Sequence, residues 1–330
     1  MGEVIDGGAA RTVTELEAVR EASPDAYEAL LDALAYAHAS TVDPQLLVPA
    51  KRRLAVQFGC YEGPAVDECA GTPLEQAAAD LFDQFVVHVA GVDDDLRTPL
   101  EEARGIEELN EFAKALYVLD AEYRLRFLLR ALLASGDGPL APLPSREPSG
   151  DRSRDAALKE LWREATRLAD VDVEPEIIEQ LRLRCAWYHQ CHTCLSGRSA
   201  VDGELLVDDA AFEKVKDYES SDLSERSKTM LRLVDAYLVN PQDGLDDGLR
   251  AQLLEHFTPA QLVALLLKVV GYTSQKMTVM LGTDLPIETE NGLLVTEHHD
   301  YITFIADDDL NLPTTKRREL RQLAEQASAA

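Results

Sequence analysis

Two cysteines three positions apart, Cys191 and Cys194 in the run Cys191-His192-Thr193-Cys194, are the residues of this chain best suited to do chemistry. A Cys-x-x-Cys spacing lets one sulfur attack a substrate as thiolate and the other displace it, closing a tight disulfide. The pair follows a helical pattern over residues 176–189, and Cys194 is expected in the first turn of a further helix. The free N–H groups of that turn would favour a thiolate. Arg198, one helical turn beyond Cys194, would face the same sulfur with a permanent positive charge. Glu179 lies on the preceding helix, placed to point back at the cysteines and to take or relay a proton. His189 and His192 flank Cys191 and are further proton-relay candidates, since imidazole titrates near neutral pH. Cys185, beside Trp187 and Tyr188, reads as a small core residue.

The elements that must position these groups are helical. Apolar residues recur at three- and four-residue spacing, and strand signals are scarce. Ser23-Pro24 opens a helix reaching about Ala39, a capping hydroxyl followed by proline at the first helical position. Thr258-Pro259 opens another that runs to about Leu281 and stops at Gly282. Helices are also expected over 223–238, 243–257 and 315–326. Residues 135–154, rich in Pro and Gly, read as an exposed linker.

The flanks of that linker resemble each other. In one register Asp43-Pro44-Gln45-Leu46-Leu47 falls on Glu174-Pro175-Glu176-Ile177-Ile178, Leu30-Leu31 on Leu161-Trp162, and Cys60 on Cys191. In a second, Leu74, Phe82, Phe85, Val89 and Leu96 fall on Leu223, Leu231, Val234, Leu238 and Leu245. The two registers in order indicate an internal duplication. Gly63 stands where the second copy has Cys194, so residues 20–134 form a degenerate copy without the cysteine pair. Residues 155–286 carry the chemistry, and 287–330 form a C-terminal extension. Cys60 and Cys69 are then inert.

Composition narrows the function classes. The 330 residues, 46% of them hydrophobic, suffice for two cores, and the formal net charge of −28 disfavours nucleic acid and anionic membranes as partners. No apolar run has the length of a membrane helix. Residues 1–10 carry Glu3 and Asp6 in place of a basic n-region, so no secretory signal is expected. An odd five cysteines, three of them within ten residues, fit a reducing, cytoplasmic setting better than a secreted disulfide scaffold.

Glu179, Cys191 and Cys194 together resemble the motif of the alkylhydroperoxidase D-like group of the carboxymuconolactone decarboxylase family. That motif is Glu, eleven residues, Cys, two residues, Cys, three residues, His; here Arg198 stands at the histidine position. The resemblance covers residues 155–286 well and 22–133 weakly. It implies an all-helical fold of two related halves, with the cysteine pair in the second. It also implies a thiol peroxidase or disulfide oxidoreductase without bound cofactor or metal. Cys194 would become a sulfenic acid and Cys191 would resolve it. Glu179 would head the proton relay. A lipoyl- or thioredoxin-like dithiol would reduce the pair, and the chain would form a homo-oligomer. Tyr272, Gln275 and Lys276 fall where such proteins line their pocket. Arginine cannot relay a proton, so His192 or His189 would have to take that part.

Three other readings stay open. His189, Cys191, His192 and Cys194 could hold zinc, although a second ligand pair is lacking apart from the distant His298-His299. A lactone decarboxylase of the same family would work by acid/base chemistry without the cysteines. A non-enzymatic oligomerisation or small-molecule-binding module would keep a vestigial site with ordinary thiol reactivity.

Overall fold

The computed structural model describes residues 14–39, 41–59, 71–133, 140–148, 154–285, 294–297, 318–319 and 322. The chain is mostly helical, and the helix starts follow local capping chemistry. After the short α1 (Glu15–Ala22), α2 (Pro24–His38) begins where the Ser23 hydroxyl accepts from the Ala26 N–H and Pro24 occupies the first position. α3 (Pro44–Gln57) repeats the device with Asp43 and Pro44. α4 (Pro73–His88) opens on a Thr72/Glu75 capping box. α5 (Asp94–Arg104) ends at Gly105, whose φ of 84° needs glycine. α6 (Ile106–Leu133) is buried along most of its length.

The second half comprises α7 (Arg154–Asp172), α8 (Pro175–His189), the one-turn α9 (His192–Leu195), strands β1 (Gly197–Val201) and β2 (Glu204–Leu205), α10 (Asp209–Lys216), α11 (Glu225–Val239), α12 (Asp247–His256), α13 (Pro259–Thr273), α14 (Lys276–Leu281) and β3 (Leu294–Glu297). The expected helix from Pro259 to Gly282 starts and stops as anticipated but breaks at Ser274-Gln275 into α13 and α14. The break turns Lys276 inward. Expected residues 315–326 fall almost wholly outside the described residues.

One continuous apolar core joins the halves: α2 packs on α7, and α6 packs on α13 and α14. Phe82, Phe85 and Phe112 are fully buried in it, each stabilising the fold by about 1.5–3 kcal/mol. Polar links tie the halves as well. The Tyr117 hydroxyl donates to the Val270 carbonyl at 2.6 Å and accepts from Trp162 Nε1 at 3.2 Å. Residues 140–148, read from the sequence as exposed linker, lie against the first half: Leu140 and Leu143 touch the core, and Arg146 pairs with Glu28 and Asp32.

The clearest departure from the expected architecture follows Cys194. The helix anticipated there lasts one turn, and the chain then extends into β1. The Ser196 hydroxyl folds back onto the carbonyls of His192 and Thr193, which ends the helix. β1 pairs antiparallel with β2 through Asp202-Gly203, both at positive φ, and parallel with β3, Gly197 opposite Leu294. The C-terminal segment thus completes a three-stranded sheet of order β2-β1-β3 beside the cysteine loop. Among the described residues no single helix is long and apolar enough to cross a membrane. α12 with α13–α14 passes that test only jointly, bent by 108°, and α13 is buried inside the protein.

Candidate functional site

The cysteine loop is set by how α8 stops. Gln190 adopts a left-handed φ of 51°, and its N–H and that of Cys191 return to the last turn of α8, Cys191 to the Ala186 carbonyl at 3.1 Å. This C-cap reverses the chain with glutamine where glycine is the usual choice. Cys191 then becomes the N-cap of α9, its sulfur accepting from the Cys194 N–H at 3.3 Å. The two sulfurs lie 3.0 Å apart, the Cys191 thiol donating to Cys194. Both cysteines are free. A disulfide needs about 2.05 Å, so closure asks for a movement of about 1 Å. Cys191 is 0% exposed and Cys194 is 5% exposed. Burial, above all, pushes the Cys191 thiol well above its ordinary range; the hydrogen bond to Cys194 and the charges of Cys194 and Asp284 push the same way, against the Cys194 N–H. Burial thus keeps Cys191 a thiol, placed to donate to the Cys194 sulfur.

Glu179 is fully buried beneath this loop, but its carboxylate is already engaged. Arg182 donates to both its oxygens at 2.7 Å, and Ser199 donates its N–H at 3.1 Å and its hydroxyl at 2.8 Å. Burial alone would raise its pKa; Arg182 and Ser199 outweigh that and hold it below the usual range. Glu179 is thus held as an anion, which suits an anchor better than a proton donor. Arg182, equally buried, also donates to the carbonyls of Cys194 and Gly197 at 2.7 and 2.8 Å. Glu179 and Arg182 together clamp the far end of the cysteine loop to α8. The sequence reading passed over Arg182 and Ser199. The i, i+3 acid–base spacing on the inward face of α8 was the available signal for Arg182.

Arg198 lies in β1, so the helical spacing that would set it one turn above Cys194 does not exist. Its guanidinium donates to the carbonyls of Leu195 and Gly197 and stacks 3.6 Å from the Phe212 ring centroid, an aromatic from α10. It braces the turn after the cysteines. His192, its side chain 45% exposed, is fixed by Asp284: its N–H donates to Asp284 Oδ2 at 3.0 Å, and its Nδ1 lies 3.1 Å from the same oxygen. The Thr193 hydroxyl donates to the Leu285 carbonyl. The segment after α14 therefore pins the front of the loop, an arrangement that local spacing cannot reveal.

His189 turns away from the cysteines into a separate cavity with Lys276. Its imidazole is kept neutral chiefly by burial, and then by Lys276, Arg124 and His88. Cys185 is a buried core thiol pushed far above its ordinary pKa by burial. Lys276 is buried on Asp120, Tyr272 packs against the core, and Gln275 accepts from the Thr278 hydroxyl. Cys60, Cys69, His298 and His299 lie outside the described residues. Among the described residues no group of three or more His, Cys, Asp or Glu side chains could hold a metal; His192 faces Asp284, whereas His189 lines the cavity with Lys276. Compared with known proteins, the chain matches no family model, no curated protein and no solved structure.

Proposed function

We propose that this protein is a dithiol oxidoreductase of the alkylhydroperoxidase D-like type, reducing hydroperoxides through Cys194 and Cys191. The observation that carries the reading is the close pair: two free sulfurs 3.0 Å apart, of which the fully buried Cys191 is pushed well above its ordinary pKa by burial. That asymmetry assigns the roles. Cys194, as thiolate, attacks one peroxide oxygen; the O–O bond breaks and the departing alkoxide takes a proton to leave as alcohol. Cys194 is then a sulfenic acid. The Cys191 sulfur attacks it, its proton leaves with the hydroxyl as water, and the disulfide forms. An external dithiol of lipoyl or thioredoxin type returns two electrons and two protons. His192, exposed and oriented by Asp284, is the side chain of the loop that exchanges protons with solvent. Glu179, Arg182 and Arg198 hold the loop in shape.

The same reading takes the chain as a tandem duplication. Helix boundaries support it: α3 and α8 both start on proline after an acidic cap position, and α4, α5 and α6 find counterparts in α11, α12 and α13–α14. Between α8 and α11 the second half holds α9, β1, β2 and α10, where the matching residues 60–70 of the first half lie outside the described residues. The assembly proposed is a homo-oligomer working in a reducing compartment.

A second reading, a binding module with a vestigial site, is favoured by the near-complete burial of both sulfurs. Stopped-flow oxidation of the reduced protein by hydrogen peroxide and by cumene hydroperoxide separates the two. The proposal expects saturating or second-order disulfide formation at least 100-fold faster than a free thiol, abolished by Cys194→Ser. Rates equal to those of a free thiol would leave the vestigial reading.

A further inference from the structure

Away from the thiols, a cavity opens where α4 and α6 of the first half meet α8, α11 and α14 of the second. It is a narrow, partly open pocket: the 220 Å³ of non-atom space around it includes open solvent, and its interior has room for about one small molecule or ion. Its charges do not balance. Asp120 sits between two cations, with Arg124 Nε 2.7 Å from one carboxylate oxygen and Lys276 Nζ 2.7 Å from the other. All three side chains are buried. Arg124 spends its other donors on the carbonyls of Tyr237, Leu238 and Val86. The group therefore carries one excess positive charge inside the protein, a costly state unless something negative offsets it.

His189 marks where that something would sit. Its ring is buried against the cavity, and among the described residues neither ring nitrogen has a hydrogen-bond partner. Buried polar atoms of this kind ordinarily find one. Lys276 has three N–H donors, one given to Asp120, and it also lies 4.2 Å from the Phe85 ring centroid. The neutral imidazole and the ammonium thus line the same cavity. A cation would meet Arg124 and Lys276, and a dianion would overcompensate a single excess charge.

We infer that this cavity is a binding site for one small monovalent anion, a halide or a carboxylate of formate size, held by Lys276 and His189 at the seam between the halves. The inference is independent of the chemistry proposed for the cysteines. Such an anion would stabilise the folded protein by binding it and not the unfolded chain.

Thermal unfolding in sodium bromide tests this, with sodium sulfate at equal ionic strength as control for screening of the acidic surface. The wild type should show a saturable rise in Tm in bromide beyond that in sulfate. Lys276→Met, which leaves Asp120 and Arg124 balanced, and His189→Phe should show none. Equal responses in bromide and sulfate, or an unchanged bromide effect in Lys276→Met, would overturn the inference. Anomalous diffraction from wild-type crystals grown in bromide gives a reading free of any variant. A bromide peak within hydrogen-bond reach of Lys276 Nζ and a His189 nitrogen is expected; its absence at saturating bromide would also overturn the inference.

Discussion

Replacing Arg182 by methionine is the sharpest test of how the cysteine loop is held. The substitution keeps the aliphatic volume but removes every donor that Glu179, Cys194 and Gly197 share. Glu179 would keep only the Ser199 N–H and hydroxyl, leaving a buried carboxylate without its cation, a loss of about 3–5 kcal/mol. The Cys194 carbonyl, left without that donor, adds about 1–3 kcal/mol, whereas the Gly197 carbonyl keeps the Arg198 guanidinium. The whole cost should fall at the upper end of the range for single substitutions. Its pH dependence has a definite sign. In the wild type Glu179 titrates below its ordinary value, so its contribution is present above about pH 4.5 and fades as the pH falls through the lower folded pKa. In Arg182→Met burial acts with less opposition and the folded pKa rises, so the variant's penalty is largest near neutrality and shrinks on acidification. Urea unfolding followed by circular dichroism between pH 4 and 8 measures both quantities. The double variant Glu179→Gln/Arg182→Met should cost less than the two single changes added together. A cost below about 1 kcal/mol that does not vary with pH would refute the clamp.

Three further outcomes follow from the same contacts. Asp284 is one of the charges that keep the proton on Cys191, so Asp284→Asn in a Cys194→Ser background should lower the Cys191 pKa, read as faster iodoacetamide labelling near pH 8. Burial lowers Lys276 to about 8, partly opposed by Asp120, so between about pH 8 and 10.5 the unfolded chain binds more protons than the folded one. Wild-type stability should therefore rise with pH relative to Lys276→Met across that window, by at most about 3 kcal/mol; a constant difference in urea midpoints would contradict this. Tyr117→Phe removes the bond to Val270 and leaves Trp162 Nε1 without its acceptor, and should cost about 1–3 kcal/mol in thermal or urea unfolding.

Much of the helical frame is written locally. Ser23-Pro24 and Thr258-Pro259 each combine a capping side chain with proline at the first position and start a helix where expected, and Asp43-Pro44 uses the same device. Gly282 ends the last one in a left-handed turn. What local pattern missed lies beside the cysteines. β1 is five residues long and carries no alternation of polar and apolar residues, and its parallel partner β3 is almost one hundred positions away. Asp202-Gly203 is a legible hairpin signal that the sequence analysis does not use. The expected helix after Cys194 also misplaces Arg198, whose partners come from the turn and from α10. The same limit applies to Asp284 and to the Lys276–Asp120–Arg124 group: their partners are set by packing between distant segments, which periodicity does not encode.

The reactive-pair account stands or falls on which sulfur takes oxygen. Reduced Cys191→Ser protein exposed to one equivalent of hydrogen peroxide, trapped with dimedone and digested for mass spectrometry, should carry the adduct on Cys194. The matching Cys194→Ser protein should carry none at Cys191. An adduct on Cys191, or on neither cysteine at times when the wild type has formed its disulfide, would contradict the account.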